Sequence, residues 1–153
     1  MKRGVQKTIP AFSGKRAYLH LIGAYNWRSD EVIAQLVERK NSDTFIEFLE
    51  HLLITTYPDR PVVLVMDNAS YHYSTKVQSA LSLFEHRVKV IWLPQYCPEL
   101  NLIERFWLHL KNMVWANHLY DAIQVLYDRI IEGLAIQNGP HANQRLTFSK
   151  YFR

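Results

Sequence analysis

Cysteine is almost missing: Cys97 is the only one in 153 residues. A single thiol excludes a disulfide framework and a cysteine-based zinc site, and it suits a reducing, intracellular setting. The seven histidines are scattered, with no His-x-x-x-His or Cys/His ligand spacing to mark a histidine metal centre. No run approaches the ~18–20 apolar residues of a membrane span. The start, MKRGVQKTIPAFSGKR, is basic but lacks the apolar stretch of a signal peptide. These absences predict a soluble protein with no membrane partner. Internal repeats, low-complexity segments and a dividing linker are missing as well, which predicts a single domain over residues 1–153. Acidic charge is in deficit, 14 Asp and Glu against 18 Lys and Arg, for a net charge of +4. That balance suits a nucleic-acid partner, and it also falls in the range that keeps a small domain in solution.

What is present is apolar and aromatic. Hydrophobic residues make up 48% of the chain and aromatics 13%, enough for a full core. Residues 1–15 read as a basic arm. RAYLHLIGAY alternates as a strand, the link Asn26 to Asp30 is turn-like, and EVIAQLVER reads as a second strand hairpinned to the first. From Ser42 to Thr56, Phe45, Phe48, Leu49, Leu52 and Leu53 form one helical stripe, with Asn41 or Ser42 as cap and Asp43 at the positive end of the dipole. VVLVM (62–66) reads as a strand buried on both faces, 74–84 as a helix, and VKVIWL (88–93) as another buried strand. A long helix over about 101–117 and a last one over 120–137 follow. Two extended antiparallel strands followed by alternating helices and buried strands predict an α/β domain with a mixed sheet.

Two carboxylates stand out. Asp67 directly follows the VVLVM strand, with Asn68, Ser70 and His72 behind it, and ligands of open α/β sheets gather at the carboxyl ends of strands. Asp67 is equally an Asx residue that closes a turn. Glu104 sits on a helix that is apolar nearly all round: Leu100, Ile103, Trp107, Leu110 and Val114 form a core-facing stripe, and Leu102, Phe106 and Met113 leave few solvated positions. A carboxylate there needs a hydrogen bond, a partner or a metal. Asn101-x-x-Glu104 also has capping-box spacing. Lys111, two turns further along the same face and ~10 Å away, reads either as a solvated lysine or as a contact to a phosphate backbone.

In combination, MDNASYH (66–72) and LPQYCPELNLIERFW (93–107) resemble the second half of a DDE transposase of the mariner superfamily, of the bacterial insertion-sequence type. In that family an Asp-Asn-Ala-x-x-His block ends a central strand, and a Leu-Pro-x-Tyr block running into Ile-Glu-x-x-Trp opens a helix at a similar distance. Here 36 residues lie between Asp67 and Glu104. KRGVQKTIPAFSGKRAYLHLIGAYN and SDTFIEFLEHLL resemble the family's upstream Arg-Gly stretch, Gly-Ala strand and first helix. The resemblance covers about residues 2–115. It implies an RNase H-like fold, a mixed central sheet flanked by helices. Asp67 and Glu104 become the second and third acids of a catalytic triad and ligands to magnesium or manganese. Asn68 and His72 become DNA-binding positions at the rim of the site, and Lys111 a contact to the DNA end. It further implies DNA transposition by metal-dependent cleavage and strand transfer, with transposon ends and target DNA as partners, a homodimer, and a bacterial, cytoplasmic and nucleoid-associated location. Leu102 stands where the family usually has Pro, and Cys97 where Ser is common. The family's first Asp, on a strand before the Arg-Gly stretch, has no counterpart in this chain. The resemblance is therefore to a C-terminal fragment lacking the first strand: a truncated element, or one piece of a split reading frame. The alternative is a non-catalytic remnant that binds DNA or self-associates.

Overall fold

In the computed structural model, residues 9–11, 17–115 and 123–139 are described. A short strand, β1 (Ile9–Ala11), pairs antiparallel with the start of β2 (Ala17–Asn26), Ile9 opposite Leu19. The sequence reading placed Ile9–Ala11 in the basic arm, because three residues around a proline are too few to show alternation. The rest of that arm, 1–8 and 12–16, lies outside the described residues. The hairpin is as expected: β2 pairs with β3 (Glu31–Val37) from Asn26 opposite Glu31 to His20 opposite Val37. Its turn is held by the Asn26 side chain, which accepts from the amide of Arg28 at 3.0 Å. Asp30 closes it at φ 62°, a left-handed conformation that Asp tolerates better than most residues. The buried Asp30 carboxylate accepts a hydrogen bond from the Tyr25 hydroxyl.

Helix α1 (Ser42–Glu50) starts at a capping box, with the Asn41 side chain on the Thr44 amide and the Thr44 hydroxyl on the Asn41 amide. Over His51–Thr56 the turns widen to π geometry, across the β-branched run Ile54, Thr55, Thr56, and the chain leaves before Pro58. Strand β4 (Val62–Met66) then pairs in parallel with β5 (Val88–Trp92), joined by α2 (Thr75–Ser82), whose N-terminal amide at Val77 is capped by the Ser74 hydroxyl. One expectation is overturned here. Val63 is 59% and Val65 52% exposed, and Ile91 on β5 is exposed beside them, so this pair is buried on one face only. An unbroken apolar run shows that both faces are apolar; it does not show what covers them.

Helices α3 (Leu102–Trp115) and α4 (Ile123–Asn138) follow. Leu100, expected in the α3 stripe, lies in a separate 3-10 turn (Pro98–Leu100) and is exposed. The described residues divide into two units, one built on Arg39–Asn101 and the other on Gln6–Glu38 with Leu102–Arg153. The first buries Phe45, Phe48, Leu49, Leu52, Leu53, Met66, Val77 and Leu81. In the second, Leu21 and Val32 of the hairpin pack with Phe106, Trp107 and Leu110 of α3 and Leu126 and Ile130 of α4. No helix among the described residues is long and apolar enough to cross a membrane.

The end of α4 is fastened to the hairpin by side-chain amides. Asn138 Oδ1 accepts from the Val32 amide at 2.8 Å and its Nδ2 donates to the Val32 carbonyl at 2.6 Å, pairing with one β3 residue as a neighbouring strand does. Gln137, itself buried, donates to the Asp30 carbonyl at 2.8 Å. Asn138→Ala leaves the amide of buried Val32 unpaired and should cost about 1–3 kcal/mol. Hydrogen exchange at the Val32 amide is the check, and unchanged protection would show that the clasp contributes nothing.

Candidate active site

Strand β4 delivers Asp67 at its carboxyl end, and the 3-10 turn Ser70–Tyr73 folds back so that His72 meets it. His72 Nδ1 lies 2.9 Å from Asp67 Oδ1 and 3.1 Å from the Asp67 carbonyl oxygen. Asp67 Oδ1 also accepts from the Ala69 amide at 3.1 Å, so the Asx-turn reading is realised. That turn does not exhaust the carboxylate. Among the described residues Oδ2 has a single long hydrogen bond, 3.4 Å from the side-chain amide of Asn101. Burial pushes the Asp67 pKa up. The hydrogen bond and charge of His72, followed by the Ala69 amide and Asn101, outweigh it and hold the carboxyl below its ordinary value. The group is thus ionised and held through Oδ1, with Oδ2 more loosely engaged.

Asn68 and His72 are both held inside the fold. Asn68 Nδ2 donates to the Leu93 carbonyl at 2.7 Å, tying the end of β4 to the end of β5, and its Oδ1 accepts from the Tyr73 hydroxyl. Tyr73 stacks on Trp92, with centroids 4.1 Å apart. His72 is 5% exposed, and its ring packs against Phe45 at 4.2 Å and Tyr71 at 4.5 Å. Of the three positions that the resemblance gives to DNA, only Lys111 is exposed. Glu104 and Lys111 belong to the second unit, both on α3, with Glu104 half-buried in its first turn. The structure therefore brings Asp67, Asn68 and His72 together with Asn101. Sequence reasoning treated Asn101 only as a helix cap. Its place directly before the Ile-Glu helix was the available signal.

Residues 1–126 match the family described as DDE superfamily endonuclease, most of the chain. The chain belongs to that family. An insertion element IS630 uncharacterized 39 kDa protein of Shigella sonnei is 29% identical over 128 residues, covering 84% of this chain and 37% of the relative. This DDE-family chain thus spans little more than a third of that relative's length. Among solved structures, the catalytic domain of Mos1 mariner transposase is similar with a TM-score of 0.68 at 17% identity, covering 86% of this chain and 69% of the other. A chain of the simian T-cell lymphotropic virus intasome, solved with a PP2A regulatory subunit, gives 0.65 at 20% identity, covering 85% and 45%. Both likenesses show an RNase H-like fold, as the motifs imply.

Asp67 suits a divalent cation in its donor chemistry: an ionised carboxylate with an oxygen left for a hard ion, and no thiolate beside it. Glu104 offers the same kind of oxygen. Among the described residues of the DDE-family chain, however, no three His, Cys, Asp or Glu side chains are grouped to hold a metal ion.

Proposed function

We propose that this chain is the carboxyl-terminal part of a transposase catalytic domain, acting in metal-dependent cleavage and joining of DNA strands, with Asp67 and Glu104 as its two acids. The observation that carries this reading is Asp67 itself. It stands at the end of a parallel strand, ionised and fixed through Oδ1, in a chain of the DDE endonuclease family. Asp67 and Glu104 would hold magnesium or manganese, whose chemistry, when bound, is to lower the charge barrier at the attacking and leaving oxygens of a phosphodiester. The chain's own part is to orient these oxygens and to hold the polyanion. Exposed Lys111 and the net charge of +4 serve the second task, which makes DNA binding weaken as salt rises. Self-association belongs to the same reading and is supported by the open apolar side chains Val63, Val65 and Ile91.

Among the described residues no third carboxylate is grouped with Asp67 and Glu104 to hold a metal ion, and that favours a second reading in which this polypeptide is a non-catalytic remnant. Titration with manganese, followed by paramagnetic broadening of amide signals, tests the main one. Broadening should centre on Asp67 and Glu104, and either Asp67→Ala or Glu104→Gln should weaken it on the order of 10-fold or more. Broadening that ignores both substitutions would reject the assignment. In the same preparations, magnesium-dependent nicking of supercoiled DNA separates the two readings. It should stay near background for residues 1–153, and strong nicking lost on Asp67→Ala would exclude the remnant.

A further inference from the structure

We infer that His72 is a positioning residue for Asp67: its Nδ1–H holds Oδ1 of the carboxylate so that Oδ2 faces the cation. The inference rests on the reading of Asp67 as a metal ligand. Nδ1 faces two acceptors, the carboxylate at 2.9 Å and the Asp67 carbonyl at 3.1 Å, so it must carry a hydrogen. One imidazole nitrogen thereby fixes both the main chain and the side chain of the same residue, which removes rotation about the Asp67 side-chain bonds. The ring is itself immobile. It is buried, packed against Phe45 and Tyr71, and its own carbonyl accepts from Gln78 at 3.2 Å. The other ring nitrogen, Nε2, is buried and has no hydrogen-bond partner among the described residues. Were His72 present only to fill space, a phenyl ring would fill it without burying that nitrogen unpaired. The histidine is explained by its Nδ1 donor.

That asymmetry makes the inference testable. His72→Phe keeps an aromatic ring against Phe45 and Tyr71 and removes the donor together with the unpaired Nε2. His72→Asn keeps a donor in about the position of Nδ1 and removes the ring. If His72 positions Asp67, the Phe variant should retain its urea midpoint yet bind manganese on the order of 10–100-fold more weakly, the cost of losing a partner that orients a metal ligand. The Asn variant should be less stable but recover most of the affinity. If His72 is only a packing residue, the order reverses: Phe binds manganese as the parent does, and Asn loses affinity with stability. Imidazole ¹⁵N spectra of the metal-free protein give a second readout. A hydrogen on Nδ1 of His72 is expected, and an Nδ1 without one would overturn the inference. Failure of the parent chain to bind manganese at all would overturn the ligand assignment as well, and is distinct from equal binding by parent and Phe variant, which would overturn this inference alone.

Discussion

Trp107→Ala should cost the second unit about 3–5 kcal/mol, the range for deleting a large buried aromatic, as measured by urea unfolding. Trp107 is buried on α3 with its six-membered ring over β2, against the one backbone position there without a side chain. A Cβ on Gly23 would lie 2.8 Å from Trp107 Cη2 and Cζ2 and 3.0 Å from the Ile33 carbonyl. Glycine at 23 is therefore required by close approach and not by φ. Gly23→Ala should cost about 1–3 kcal/mol by overpacking. The two positions are coupled, because the atoms a methyl would strike are those that Trp107→Phe removes. In that background the alanine should be tolerated better, and strictly additive costs would show that Gly23 is not constrained by the indole.

Arg87→Met should cost the first unit about 2–4 kcal/mol, with loss of amide protection concentrated in 51–57. The Arg87 guanidinium donates to three carbonyls: Tyr57 at 3.1 Å, Arg60 at 3.0 Å, and Leu53. Leu53 and Tyr57 are acceptors left open where the π-wide end of the first helix stops, and Arg60 lies in the link before β4. Methionine keeps the apolar stem over Phe84, which the guanidinium carbon approaches to 5.4 Å from the ring centre, but it supplies no donor. Each stranded carbonyl then carries a desolvation cost of about 1–3 kcal/mol, reduced here because Arg87 is half-exposed. Lysine, with its point charge in place of the planar fork, should recover less than half. A loss below about 0.5 kcal/mol would mean that water replaces the guanidinium without penalty.

Much of this architecture was legible because it is written in short-range pattern. The β2–β3 hairpin follows from alternation around a polar link, and α1 from its stripe and Asn41 cap. Placing Asp67 at a strand end required only an apolar run followed by a carboxylate. What escaped depends on partners distant in the chain. The exposure of Val63 and Val65 is set by what packs on that face of the β4–β5 pair. The amides of Asn138 and Gln137 reach back more than a hundred residues to Val32 and Asp30, and no local signal announces such a pairing. His72 was recognised as part of a motif, but its spacing from Asp67 does not reveal whether the ring faces solvent or the carboxylate. That is decided by Phe45, from a different helix.

The clasp between Asn138 and Val32 has a temporal side. Its partners are separated by 106 residues, and the whole of Arg39–Asn101, a continuous stretch, is synthesised between the hairpin and the helices that bury it. At about 5–20 residues per second on the ribosome, the hairpin waits on the order of 5–20 s for α3 and α4, with Leu21 and Val32 still uncovered. The intervening stretch can fold during that delay without them. Nascent chains stalled before α4 should accordingly present a finished middle and an unfinished frame, the form of this polypeptide that a chaperone would hold.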